Sequence, residues 1–208
     1  MREPENLRQI AALEPDFVGL IFYQKSPRFV SPENAARLLN PATLRRIGVF
    51  VNESAKTILE TALRAKLFAI QLHGDESPEF CREVKERNGE IKIIKAFAID
   101  ENFDSTVLQQ YETICDYFLF DTKTVGRGGS GREFDWQILR RFEIKKPFFL
   151  SGGIGAENIS EAIAACDGLP LFAVDVNSRA EIAAGVKSAK IVREIIEKLT
   201  AEEPDLRS

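Results

Sequence analysis

The sequence predicts a single α/β domain built on a parallel sheet, and three observations carry that prediction. Short apolar runs alternate with helical patterns along the whole chain. The runs are apolar on nearly every residue rather than on alternate ones, as strands covered by helices on both faces must be. A length of 208 residues suits one domain, with 44% apolar and 29% charged residues, and a chain of this size buries roughly 70% of its unfolded surface.

The elements follow in order. Arg2 to Leu13 reads as a helix, with Pro4 at an early helical position and Leu7, Ile10 and Ala11 spaced along one face. Strands are then predicted at Phe17–Phe22, Ile47–Val51, Phe68–Leu72, Ile91–Phe97, Tyr117–Phe120, Pro147–Leu150 and Leu171–Val176. The helices predicted between and after them are Ser31–Leu39, Ser54–Ala65, Ser77–Arg87, Asn102–Cys115, Asp135–Phe142, Glu157–Ala165 and Ser188–Leu199. Ser31 is placed to cap the first of these and Pro32 to occupy its first turn. The polar stretch 201–208 is expected to fray. One domain spanning 1–208 is the expected organisation, and periodicity alone leaves an open doubly wound sheet and a closed barrel both available.

Charge and composition exclude several functions. A net charge of −4 with no large Lys/Arg cluster argues against nucleic acid as a partner, since binding to a phosphate backbone needs many cations. The longest apolar stretch, Phe17 to Tyr23, is far shorter than a membrane span, and the opening MREPENLRQ has no apolar signal core. No membrane partner and a cytoplasmic location are therefore expected. Cys81, Cys115 and Cys166 are far apart with no CxxC pair, which speaks against a disulfide framework and a zinc site and for buried thiols.

Polar residues gather just after the strands, as Arg28, Asn52, His73, Asp121, Ser151, Asp175 and Asn177, where both α/β architectures hold their ligands. Asp121 is a carboxylate at a strand end, followed by a glycine-rich loop containing Gly128, Gly129, Ser130 and Gly131. Gly126 to Gly131 matches GxGxxG in letters only, because the next helix starts too late for a dinucleotide turn, and Arg132-Glu133 stands where a P-loop needs Lys-Ser/Thr. The loop reads as a lid over a ligand or as a plain connection. Gly152 and Gly153 in SGGI follow a buried strand, and with Asn177 and Ser178 they offer backbone N–H groups suited to a phosphate. Arg28 can fork onto a carboxylate or stand on the surface. His73, the only histidine, is a catalyst or a structural hydrogen-bonding group, and Asp175 binds substrate or fixes its own loop.

In their order along the chain, PDFVGLIFYQKSPRFVSPE, IGVFVN, QLHGDE, IKAF, LFDTK, GGSG, FDW, FLSGGI and AVDVNS resemble the phosphoribosylanthranilate isomerase family over almost the whole sequence. The resemblance implies a (βα)₈ TIM barrel and an Amadori rearrangement in tryptophan biosynthesis. It implies a small phosphoribosyl substrate, no cofactor and no metal, in a monomer or homodimer. Asp121 matches the family's general acid, and Arg28 the arginine on the substrate carboxylate. Gly152, Gly153, Asn177 and Ser178 fall in the phosphate loops; His73 and Asp175, from their places at strand ends, are the further candidates for substrate binding.

Departures from the family pattern are equally plain. The family's general base is a cysteine at the end of the first strand, in a Cys-Gly-Met-Arg sequence, whereas Met1-Arg2 opens this chain. The first β-strand and the base are thus missing from these residues, and a natural start upstream of Met1 is expected. The alternative is a catalytically inactive barrel that binds phosphosugars without turnover. Arg179 stands where glycine is common, and Ala184 with Ser188 where the family reads Pro-Gly-x-Lys-Asp.

Overall fold

A computed structural model describes residues 1–38, 44–122 and 135–202. Seven strands form one all-parallel sheet in sequence order: β1 (Phe17–Ile21), β2 (Arg45–Phe50), β3 (Ala69–Leu72), β4 (Lys92–Ile99), β5 (Tyr117–Thr122), β6 (Phe148–Leu150) and β7 (Leu171–Val174). Each pairs with the next, from Phe17 against Arg45 through to Leu150 against Val174. The sheet is curled. The Phe17 ring of β1 lies 5.6 Å from Phe149 of β6 and 6.0 Å from Phe172 of β7, contacts that a flat open sheet would forbid. The barrel-type curvature that the resemblance implied is therefore present, with β1 and β7 at the two edges among the described residues. The backbone nitrogen of Met1 donates to Gly19 O of the β1 edge at 3.1 Å.

Alternation within each strand divides the core in two. Val18, Leu20, Phe50, Ile70, Leu72, Phe118, Phe120, Phe148 and Leu150 face outward into the main cluster beneath the helices. Ile47, Ala69, Ile94, Ala96, Leu119 and Phe149 face inward, packed with Phe17, Phe68, Tyr117 and Ala173. Both faces are apolar, which is why the strands lack an alternating polarity pattern.

Helices α1 (Pro4–Ala11), α2 (Pro32–Arg37), α3 (Ala55–Ala65), α4 (Pro78–Arg87), α5 (Ile159–Ala165) and α6 (Ala189–Glu202) surround the sheet. Ser31, Ser54 and Ser77 each accept a hydrogen bond from the backbone N–H three residues on, and proline follows Ser31 and Ser77 directly. α6 continues through Glu202, so Ala201 is helical rather than frayed, and 203–208 lie outside the described residues.

Two of the expected helices are corrected. Within 102–115 and 135–142 the chain forms only 3₁₀ turns, at Ser105–Gln110 and Trp136–Arg141. Asp104 and Asp135 open them by accepting from Thr106 N and Gln137 N, both at 3.0 Å. The buried residues Leu108, Tyr111 and Ile114, and likewise Trp136 and Leu139, recur at a spacing of three, which a 3₁₀ turn accommodates as well as an α-helix does. A short hairpin absent from the sequence expectation follows β7: β8 (Glu181–Ala183) and β9 (Val186–Lys187), antiparallel.

One buried ion pair braces the end of the sheet where the polar residues gather. Lys95 of β4 points outward, and its Nζ donates to Leu72 O, Gly74 O, Ala96 O and Glu76 Oε2 at 2.8 to 3.2 Å. Glu76 in turn accepts from Asn52 N and Gly74 N, both at 2.8 Å. The ends of β2, β3 and β4 are thereby tied together. Removing one partner strands a buried charge, so Lys95→Met is expected to destabilise the fold by about 3 to 5 kcal/mol in urea unfolding; a change under about 1 kcal/mol, the range of exposed pairs, would contradict this account.

Candidate functional site

The inward-facing set, read every second residue, leads to the site. Tyr117 and Leu119 are inward residues of β5, so Asp121 is the next inward position. Ala69 and Gln71 lead to His73 in the same way, Phe149 to Ser151, and Ala173 to Asp175. All four end residues line one cavity of about 1170 Å³.

Asp121 is held on both carboxylate oxygens. Oδ1 accepts from Thr122 N at 2.8 Å, and Oδ2 lies 3.3 Å from His73 Nε2. The other ring nitrogen, Nδ1, meets Gln71 Oε1 at 2.6 Å. That contact fixes the imidazole plane so that Nε2 faces Asp121 Oδ2. Gln71 was not anticipated from the sequence; the signal available was a polar residue at an inward position of an otherwise apolar strand.

Gly152 packs directly on this end of β5. Its φ is +91°, and a Cβ there would lie 2.4 Å from Thr122 Oγ1 and 2.8 Å from Thr122 N, so no other residue fits. Gly153 follows with φ +69°. Asn158 fixes the turn, accepting from Gly155 N at 2.8 Å and donating to Gly153 O at 3.0 Å. The N–H groups of Gly152, Gly153, Asn177 and Ser178 have no hydrogen-bond partner among the described residues, and all four residues line the cavity. Such a set of unengaged donors is suited to an anion. Arg179 lies beside it, paired with Glu157 and packed over Gly155.

Arg28 reaches the cavity, but its fork is already engaged. Nε lies 3.0 Å from both carboxylate oxygens of Glu181, and Nη2 lies 2.8 Å from Oε2. Nη1 has no partner among the described residues. Glu181 also accepts from Gly185 N at 3.1 Å and from Lys187 Nζ at 3.3 Å. Burial opposes its ionisation, but Arg28, Lys187 and that N–H outweigh burial and hold the carboxyl below the usual range. Lys187 donates to Asn177 O and Oδ1, both at 2.7 Å, while burial pulls its ammonium below the usual lysine value. Neither Glu181 nor Lys187 was anticipated, because nothing local distinguishes them from loop charges.

Asp175 lies deep in the cleft. Loss of solvation pushes its carboxyl above the ordinary 3.8, and the nearby Asp121 charge adds to this, while Lys187 and His73 oppose it. The lid expected at Gly128, Gly129, Ser130 and Gly131 lies outside the described residues. The three cysteines are buried and none lines the cavity. Among the described residues no group of three His, Cys, Asp or Glu could hold a metal ion, and no helix is long and apolar enough to cross a membrane.

A curled parallel βα sheet, with a carboxylate against a histidine at one end and unengaged N–H groups at two later strand ends, defines a barrel enzyme for a small anionic substrate. Residues 1–198 match the family model for N-(5′-phosphoribosyl)anthranilate (PRA) isomerase, and the chain belongs to that family. It is 41% identical to the N-(5′-phosphoribosyl)anthranilate isomerase of Parabacteroides distasonis, over 96% of this chain and 90% of the relative. The phosphoribosyl anthranilate isomerase structure from Thermotoga maritima superposes with a TM-score of 0.83 at 36% identity, covering 97% of this chain and 96% of that one. A structure of such an isomerase in complex with reduced 1-(o-carboxyphenylamino)-1-deoxyribulose 5-phosphate gives 0.80 at 33% identity, covering 97% and 95%.

Asp175 supplies a test by pH. Its folded-state pKa is raised, so ionising it costs more in the folded than in the unfolded state. That cost is absent below the ordinary 3.8 and grows as pH rises above it. The urea midpoint of Asp175→Asn relative to the parent should therefore increase between pH 4 and pH 7; a difference independent of pH would show that Asp175 ionises as freely folded as unfolded.

Proposed function

We propose that the protein isomerises N-(5′-phosphoribosyl)anthranilate to 1-(2-carboxyphenylamino)-1-deoxyribulose 5-phosphate, the Amadori step of tryptophan biosynthesis. The observation that carries this reading is Asp121 with His73 against it, 3.3 Å apart, in one cavity with Arg28 and with Gly152, Gly153, Asn177 and Ser178. A substrate with a carboxylate at one end and a phosphate at the other matches these two anion-binding ends, with its ribose over the acid.

In this reading Asp121 donates its proton to the ribofuranose ring oxygen. The bond from that oxygen to C1 breaks and a protonated Schiff base forms between C1 and the anthranilate nitrogen. Loss of the C2 proton to a base gives an enaminol, and protonation at C1 with release of the enol O–H proton yields the C2 ketone. The steps are proton transfers and one ring-bond cleavage with no external oxidant or reductant, in keeping with the absence of metal and cofactor that the resemblance implies. His73, fixed by Gln71, lies against Asp121 Oδ2 and holds the acid in place. Asp175 lines the same cavity beside the substrate. The base is assigned to no cysteine of 1–208: Cys166, for example, has its thiol pushed up to about 11 by burial and does not line the cavity. The substrate is the partner in this reading, and the cytoplasm is the compartment proposed for such a biosynthetic step.

Turnover is followed by the loss of anthranilate-type fluorescence, using the protein as its gene encodes it. Asp121→Asn should lower kcat by about 10²- to 10⁴-fold, while binding of the reduced product analogue stays within about threefold, since the acid acts in the transition state. An unchanged rate would remove Asp121 from the acid role, and analogue binding without any parental turnover would mark a binding barrel.

A further inference from the structure

We propose that Glu181 is a positioning residue that aims Arg28 at the carboxylate of the ligand. The inference rests on the functional reading above, because it takes the ligand to carry a carboxylate as well as a phosphate. Glu181 sits on the β8–β9 hairpin, 153 positions from Arg28, and meets its guanidinium along the Nε and Nη2 edge. That edge is consumed by the pairing, and the guanidinium plane is fixed with the Nη1 N–H pair left for a second carboxylate. Arg, with its rigid planar fork, can serve two carboxylates in this way.

Glu181 is itself immobile. Its side chain is only 6% exposed, with Arg28 at 13% and Lys187 at 11%, and Gly185 N and Lys187 Nζ hold one of its oxygens. A carboxylate so tied does not swing away to yield the fork to a ligand, so it acts as a brace and not as a competitor. The three side chains carry two positive charges and one negative, and the surplus favours an anionic ligand. The bonds of Lys187 to Asn177 O and Oδ1 do not pass through Glu181, so the phosphate end is expected to change less than the carboxylate end when Glu181 loses its charge.

The test is calorimetric binding of two probes to the whole protein: the reduced product analogue, and the same compound with a phenylamino group in place of the carboxyphenylamino group. Glu181→Gln removes the charge and half the fork. It should weaken the carboxylated probe by about tenfold or more, the scale of a hydrogen bond to a charged group, and the decarboxylated probe by less than about threefold. Glu181→Asp keeps the charge and should restore most of the difference; it also serves if the Gln variant fails to unfold cooperatively. Equal weakening of both probes by either variant would make Glu181 a general scaffold, and tighter binding of the carboxylated probe would make it a competitor; each overturns the proposal. Failure of the parent to bind the carboxylated probe would instead overturn the functional reading, and the proposal with it.

Discussion

Parallel pairing in register, with side chains alternating every second residue, decides where each group of the site ends up. Once Leu119, Gln71, Phe149 and Ala173 face inward on four different strands, Asp121, His73, Ser151 and Asp175 arrive at one end of the same cavity without further instruction. The aromatic rings of Phe17, Phe68, Tyr117, Phe149 and Phe172 pack at the other end, with neighbouring centroids 4.7 to 6.0 Å apart. The curled sheet therefore has one apolar end and one polar end, and chemistry is confined to the second.

Two buried charge networks hold that polar end in shape. Beneath His73, Lys95 and Glu76 bind carbonyl and N–H groups from three strand ends. At the rim, Arg28, Glu181 and Lys187 join the loop after β1 to the β8–β9 hairpin and to Asn177. Buried ion pairs contribute little net stability over apolar replacements, but they penalise any arrangement that separates them. In both networks the pairing thus serves geometry: the first fixes the loop that carries the histidine, the second the groups that face an anion.

Much of this was legible in the sequence where local chemistry is enough. Strand runs apolar on both faces announced a parallel sheet, serines before helices announced caps, and carboxylate or glycine at strand ends announced Asp121, Gly152 and Gly153. What escaped was decided by distance or by fine periodicity. Leu108, Tyr111 and Ile114 suit both a helix and a 3₁₀ turn until packing chooses. Residues 181–187 are too short and too mixed in polarity to announce a hairpin, so Glu181 and Lys187 look like loop charges. Their partner Arg28 lies at the other end of the chain, and Glu181 engages one edge of its guanidinium in this structure.

The central claim is that one small molecule with two anionic ends spans the cavity above Asp121. A crystal structure of the protein with the reduced product analogue tests it most directly. The account predicts the analogue's carboxylate within hydrogen-bond distance of Arg28 Nη1, its phosphate on the N–H groups of Gly152, Gly153, Asn177 and Ser178, and its sugar hydroxyls against Asp121. A phosphate bound elsewhere, or a carboxylate that leaves Arg28 untouched, would contradict it.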